Sequence, residues 1–140
     1  MELTRSELVD SSAWIEYLRG TGSPAHLEVR RLLHEEPGSV AITEPIVMEL
    51  LAGATDDRAL ARLETLTGGL RLLAVSASVD YRDAALVYRT VRARGGTVRK
   101  LIDCLIAVVA LRTGATLVHR DRDFDVLDAA LPALHVRSLI

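Results

Sequence analysis

Four carboxylates in this 140-residue chain stand in company that disfavours a charge. Asp103 is the clearest: residues 101–111 are otherwise all apolar, with neither Gly nor Pro to break a helix. A helix that is apolar all round belongs inside a domain, where an unpaired carboxylate is costly. Its place near a helix N-terminus returns only a few tenths to about one kcal/mol through the macrodipole. Asp10 ends the apolar stretch Glu7-Leu-Val-Asp10, and Asp121 follows Ala115-Thr-Leu-Val-His119. Glu49 sits in Ile46-Val-Met-Glu-Leu-Leu51, apolar on both sides. Each also has a plainer explanation. Asp10 suits a helix N-cap, although Ser11 and Ser12 can cap the same helix and leave it spare. Asp103 is a first-turn acid, Glu49 a residue on an exposed helix face, and Asp121 part of the solvated run Arg120-Asp-Arg-Asp. Glu44 is the rival of Glu49. The two are five residues apart, about 140° past a full helical turn, so they face different ways, and Glu49 is expected to face the others.

Carboxylates that converge in an apolar site cannot all ionise without a cation. Oxygen ligands without a Cys/His cluster select Mg²⁺, with Mn²⁺ possible, over zinc. Such an ion keeps waters and leaves positions for a substrate phosphate. One coordinated water becomes the nucleophile, and the ion stabilises charge developing on phosphorus.

Strands and helices have to bring these acids together. The pattern predicts strands at 7–10, 39–43, 70–75, 115–119 and 134–140. After Ser11 and Ser12, helices are expected to start at Ala13 and run through Leu18, then at 25–36, 44–52, 56–67, 76–94 and 101–113. Leu27, Leu32 and Leu33 mark the inner side of the second helix; Ala84, Ala85, Val87, Tyr88 and Val91 mark that of the long fifth. Residues 120–125 read as a charged loop and 126–131 as a short helical turn. Strands alternating with helices mean an α/β fold with a mostly parallel sheet. Its ligands bind at the carboxyl ends of the strands, where Asp10 and Asp121 both stand.

Length fits one domain spanning 1–140 with one core. The single Cys104 excludes an internal disulfide and reads as a small buried hydrophobe, consistent with a cytoplasmic home. The start, Met1 to Glu7, is charged and lacks the apolar run of a signal peptide, and the longest apolar run is too short to span a membrane. A net charge of −2 gives no bulk attraction to nucleic acid, so any such binding has to be local. Sixteen of the 17 basic residues are Arg, the better bidentate phosphate ligand, a bias that genome base composition also produces.

In this order, Leu8-Val-Asp-Ser-Ser-Ala13, Val47-Met-Glu-Leu-Leu-Ala-Gly53, Leu101-Ile-Asp-Cys-Leu-Ile-Ala107 and Thr116-Leu-Val-His-Arg-Asp-Arg-Asp-Phe124 resemble the PIN-domain ribonucleases, in particular VapC toxins of toxin–antitoxin modules. The resemblance implies a three-layer α/β/α sandwich around a mostly parallel sheet, Mg²⁺-dependent endoribonuclease activity, homodimerisation and neutralisation by a VapB-type antitoxin. Asp10, Glu49, Asp103 and Asp121 fall on the family's acidic positions, Ser12 supports the first, and Asp123 shares or takes the role of the fourth. A basic rim of Arg89, Arg92, Arg94, Arg99, Lys100, Arg120 and Arg122 would hold an RNA backbone around the acidic centre. Two other readings stand beside this one. A haloacid-dehalogenase-like phosphatase also begins with Asp at a strand end, but needs an acid two residues later, where this chain has Ser12. A non-enzymatic interaction module would bind a basic partner through the acids and respond to no metal.

Overall fold

The computed structural model describes residues 5–140; the first four residues of the charged start lie outside them. The chain runs β1 (Glu7–Val9), α1 (Ser11–Arg19), α2 (Pro24–Glu35), a 3₁₀ turn (Pro37–Ser39), β2 (Val40–Ile42), α3 (Glu44–Ala52), α4 (Asp57–Gly68) and β3 (Arg71–Leu72). It continues through α5 (Ala77–Ala93), α6 (Leu101–Thr113), β4 (Thr116–His119), α7 (Arg122–Ala130) and β5 (His135–Ser138). The five strands form one sheet in the order β3-β2-β1-β4-β5, and every pairing is parallel.

That order places the site. From β1 the chain steps outward to β2 and β3, then returns to lay β4 against the other side of β1 before stepping out to β5. The direction of winding therefore reverses between β1 and β4, and in open parallel sheets a crevice forms at the carboxyl ends of that strand pair. Right-handed crossovers put α1 to α4 on one face and α5 to α7 on the other; the packing of α5 on α6 and α7, and of α1 on α2 and α3, agrees. The core lies on both sides of β1 and β4, with Leu8, Val9, Leu117 and Val118 fully buried beneath Trp14, Ile46, Ile106, Phe124 and Leu127.

α6 is the helix buried all round: Asp103 to Ala110 are all inaccessible. It starts at Lys100 and closes on Gly114, whose φ of 72° is the left-handed conformation that ends a helix without a side-chain clash.

Four expectations change. Residues 122–130 are helix from Arg122 onward, not a charged loop: Phe124 and Leu127 form its buried stripe, and Asp121 caps it. The third strand shrinks to two exposed residues at the sheet edge. The buried side of α2 is Ala25, Val29 and Leu32, while Leu27 is 45% exposed. On α5 Ala85 is exposed; Asp80, Ala84 and Val91 are the buried residues.

Candidate metal centre

Asp10 is the residue on which β1 ends and α1 begins. Its main chain is extended (φ −71°, ψ 157°), and its N–H donates to Val118 O at 2.9 Å, tying it to the neighbouring β4. It is the N-cap itself: Oδ2 accepts from Ser12 N at 3.0 Å and from Ser12 Oγ at 2.6 Å. The expectation that Ser11 or Ser12 would take the cap and leave Asp10 spare therefore fails, because both serines already lie inside the helix. Ser12 Oγ also accepts from Arg120 N at 2.9 Å, so the ends of β1 and β4 are joined through one hydroxyl. The other Asp10 oxygen, Oδ1, is buried with no hydrogen-bond partner among the described residues.

Asp103 stands in the first turn of α6, 2% exposed, with Oδ2 likewise without a partner. Burial pushes its carboxyl up to about 7, and the negative charges of Asp10, Asp121 and Glu49 push the same way against the pull of Lys100. Asp10 is also raised, by burial first and then by Glu49, against the hydrogen bonds from Ser12.

Asp121 caps α7 through Oδ1, which accepts from Asp123 N at 2.9 Å. One carboxylate oxygen each from Asp103, Asp121 and Asp123 lie within 4.8 Å of one another. Arg99 bridges the last two, with Nη2 3.3 Å from Asp121 Oδ1 and Nε 3.2 Å from Asp123 Oδ2; its main-chain N–H donates to Asp123 Oδ2 as well, at 3.2 Å. Glu49 approaches from α3 on the opposite face of the sheet. Its Oε1 accepts from Ser11 Oγ at 3.2 Å, and its Oε2 lies 3.9 Å from Lys100 Nζ. Glu44 turns elsewhere and accepts Val75 N at 2.8 Å.

Three of these acids sit at the N-termini of α1, α6 and α7, where the helix dipoles favour negative charge. That help leaves Asp103 Oδ2, on a member of the three-acid cluster, and Asp10 Oδ1, on a carboxylate outside it, buried without partners among the described residues, and carboxylates so placed call for a cation. The donor set is all oxygen, as such an ion needs.

The expected basic rim is only partly free. Arg99 is paired with Asp121 and Asp123, Arg120 with Glu16, and Lys100 lies beside Glu49. Arg92 stacks over Tyr88, 5.7 Å from the ring centroid, and Arg94 reaches Ala130 O at 3.5 Å. Arg122 forms no ion pair among the described residues. Two contributors were missed in the sequence. Ser11 holds Glu49, and nothing in its spacing points there. His119 is fully buried beside Asp121, and a polar ring ending the apolar run Thr116-Leu-Val was a readable signal.

Comparison with known proteins identifies the family. Residues 8–130 match the PIN domain. A VapC ribonuclease of Mycobacterium bovis is 55% identical over 120 residues, covering 86% of this chain and 90% of that protein. Ribonuclease VapC11 of Mycobacterium tuberculosis matches to the same extent. Among solved structures, a DNA-bound VapBC from Salmonella typhimurium superposes with a TM-score of 0.78 at 18% identity, covering 98% of this chain and all of that one. VapC20 of Mycobacterium tuberculosis, a sarcin-ricin-loop-cleaving toxin, gives a TM-score of 0.63 at 22% identity over 86% of this chain and 93% of its own. This chain belongs to the PIN-domain family and, within it, to the VapC ribonucleases.

Proposed function

We propose that the protein is the toxin of a VapBC-type module, a single nuclease domain that cuts RNA endonucleolytically with Mg²⁺, or Mn²⁺ in its place. PIN-domain nucleases use a divalent metal, and this chain carries an acidic cluster for one. The observation that carries the reading is the pair of buried, unpartnered oxygens, Asp10 Oδ1 and Asp103 Oδ2, beside the cluster of Asp103, Asp121 and Asp123. Asp10, Asp103 and Asp121 would hold the ion directly, with Glu49 completing the set. Asp123, clamped by two donors of Arg99, supports Asp121. When bound, the ion supplies Lewis-acid stabilisation to the scissile phosphate and makes nearby water more acidic.

The chain's own groups do the rest. Ser12 fixes the Asp10 carboxylate and ties it to β4. The Glu49 side chain, 22% exposed against 16% for Asp121, is the carboxylate nearest solvent and best placed to receive a proton from incoming water. Arg99 and Lys100, which lie beside acids of the centre, and Arg120, whose main-chain N–H donates to Ser12, would hold the phosphate backbone near the cut, with Arg92, Arg94 and Arg122 as further candidates along the chain. Ser12 in place of a second acid counts against the phosphatase reading.

The VapBC complexes among the solved structures support a VapB-type antitoxin as partner, and the ribonuclease relatives fit the expected cytoplasmic site of action. No described helix is long and apolar enough to cross a membrane. Homodimerisation draws support from an apolar groove between α3, α5 and α6, where Met48, Tyr81 and Leu101 are each more than half exposed. The apolar residues of α2 add nothing to it, because Ala25, Val29 and Leu32 already pack in the core. Light scattering at micromolar concentration tests this, and a monomer counts against it. For the activity, purified protein is incubated with total RNA with and without Mg²⁺, and the new ends are sequenced. Defined Mg²⁺-dependent ends are expected. Their absence, or cleavage indifferent to chelator, would overturn the reading.

A further inference from the structure

His119 is wholly buried at the end of β4, and the chemistry above makes no use of it. Both ring nitrogens face the first turn of α7. Nδ1 accepts a hydrogen bond from the main-chain N–H of Asp121 at 3.0 Å. An accepting Nδ1 puts the proton of the neutral ring on Nε2, which lies 3.4 Å from Asp125 Oδ1. The ring packs on Phe124 with centroids 5.2 Å apart, and its own carbonyl accepts Leu139 N at 2.8 Å. The main chain of His119 is thus tied to the residue after β5 and its imidazole to the start of α7, and the peptide the ring grips is the one that aims Asp121. That carboxylate has two tasks at once: it caps α7 through Asp123 N and it faces Asp103.

We propose that His119 is a positioning residue of the metal centre: its Nδ1 fixes the Asp121 main chain so that the carboxylate presents to a divalent cation. The inference rests on the reading of Asp121 as a ligand. A core histidine kept only for its volume predicts that an apolar residue of similar size would serve as well. A positioning role predicts that the acceptor itself matters, because groups outside the ligand set that orient a ligand typically set tenfold to a hundredfold in metal affinity.

The test is Mn²⁺ binding to the full-length protein, read by calorimetry at a temperature where circular dichroism shows each variant folded, so that no turnover is needed. His119→Leu removes the acceptor and should weaken Mn²⁺ about tenfold or more. His119→Asn places an amide oxygen close to the position of Nδ1 and should stay within about threefold of wild type. Should His119→Leu fail to fold, His119→Gln takes its place, because its amide reaches toward the Nε2 position and leaves Asp121 N–H without the acceptor. Asp121→Asn is titrated alongside. If Asp121→Asn binds Mn²⁺ like wild type, the ligand reading fails and this inference with it. If Asp121→Asn weakens binding while His119→Leu or His119→Gln does not, or if His119→Asn loses as much as they do, the positioning role alone is overturned.

Discussion

Replacing Asp103 by Asn should make the metal-free protein more stable, although the residue lies at the centre of the site. Asp103 is 2% exposed, one of its oxygens has no partner, and its carboxyl is held at about 7 against 3.8 when free. Between those values the folded protein keeps a proton that the unfolded chain has released, so stability falls as pH rises through that window. At 1.36 kcal/mol per unit, the full cost of the charged form is about 4 kcal/mol above pH 7, and roughly 2 kcal/mol of it is already present near pH 5. Asn has nearly the same shape and does not titrate. Urea unfolding in chelator should therefore show Asp103→Asn gaining up to about 4 kcal/mol over wild type near pH 8 and about 2 near pH 5. The difference between the two proteins is the quantity to compare. His119 titrates with the opposite sign: burial lowers its pKa, so its contribution is present above about pH 6.5 and is lost as pH falls. It cancels when variant and wild type are subtracted. Saturating Mg²⁺ should then stabilise wild type, by about 2.7 kcal/mol at a hundredfold excess over the dissociation constant, and leave the variant nearly unchanged. An Asp103→Asn protein several kcal/mol less stable in chelator, with its Mg²⁺ response intact, would refute the reasoning and make Asp103 a helix-start residue.

Asp10→Asn should abolish RNA cleavage while the melting temperature stays near that of wild type. The physical reason is that Asn caps helices as well as Asp and keeps the acceptor for Ser12 N; a variant that cuts RNA at the wild-type rate would remove Asp10 from the site. Glu49→Gln should weaken Mn²⁺ binding in calorimetry, whereas Glu44→Gln should not, because Glu44 faces Val75 N; the reverse result would exchange their roles. Arg99→Gln should raise Mn²⁺ affinity several-fold by freeing the oxygens of Asp121 and Asp123 for the ion, and weaker binding would mean that Arg99 is needed to hold the pair in place.

Much of the architecture was readable because α6 announces itself. Ten apolar residues around one acid, ended by Thr113-Gly114, admit few readings other than a central buried helix, and the structure has that helix at residues 101–113. The alternation of strand and helix likewise fixed a parallel sheet. What could not be read was local competition for caps and contacts. Asp10, Ser11 and Ser12 are all good N-cap residues, and sequence alone does not say which stands outside the first turn. Asp121 in its charged run looked solvated, yet Phe124 and Leu127 three residues apart were already the stripe of a helix that needed a cap there. The partners of the arginines were invisible for another reason. The contacts of Arg99 with Asp121 and Asp123 span 22 and 24 residues, and that of Arg120 with Glu16 spans 104, separations that only the folded sheet and its helices bring together.

The arrangement of helix N-termini explains why an acidic centre is tolerable here and why it remains incomplete. α1, α6 and α7 each begin at the carboxyl edge of the sheet with an acid in or beside the first turn. Each dipole is worth about 0.3–1 kcal/mol, and up to about 2 where partly buried. Against that stands about 4 kcal/mol for charging Asp103 alone, with Asp10 raised beside it. Hydrogen bonds cover one oxygen of Asp10, and Arg99 covers parts of Asp121 and Asp123, but Asp10 Oδ1 and Asp103 Oδ2 are left bare. The fold therefore gathers more negative charge than its own dipoles and cations balance. The remainder falls on two buried oxygens without a partner among the described residues, where a small divalent cation would compensate charge that no side chain reaches.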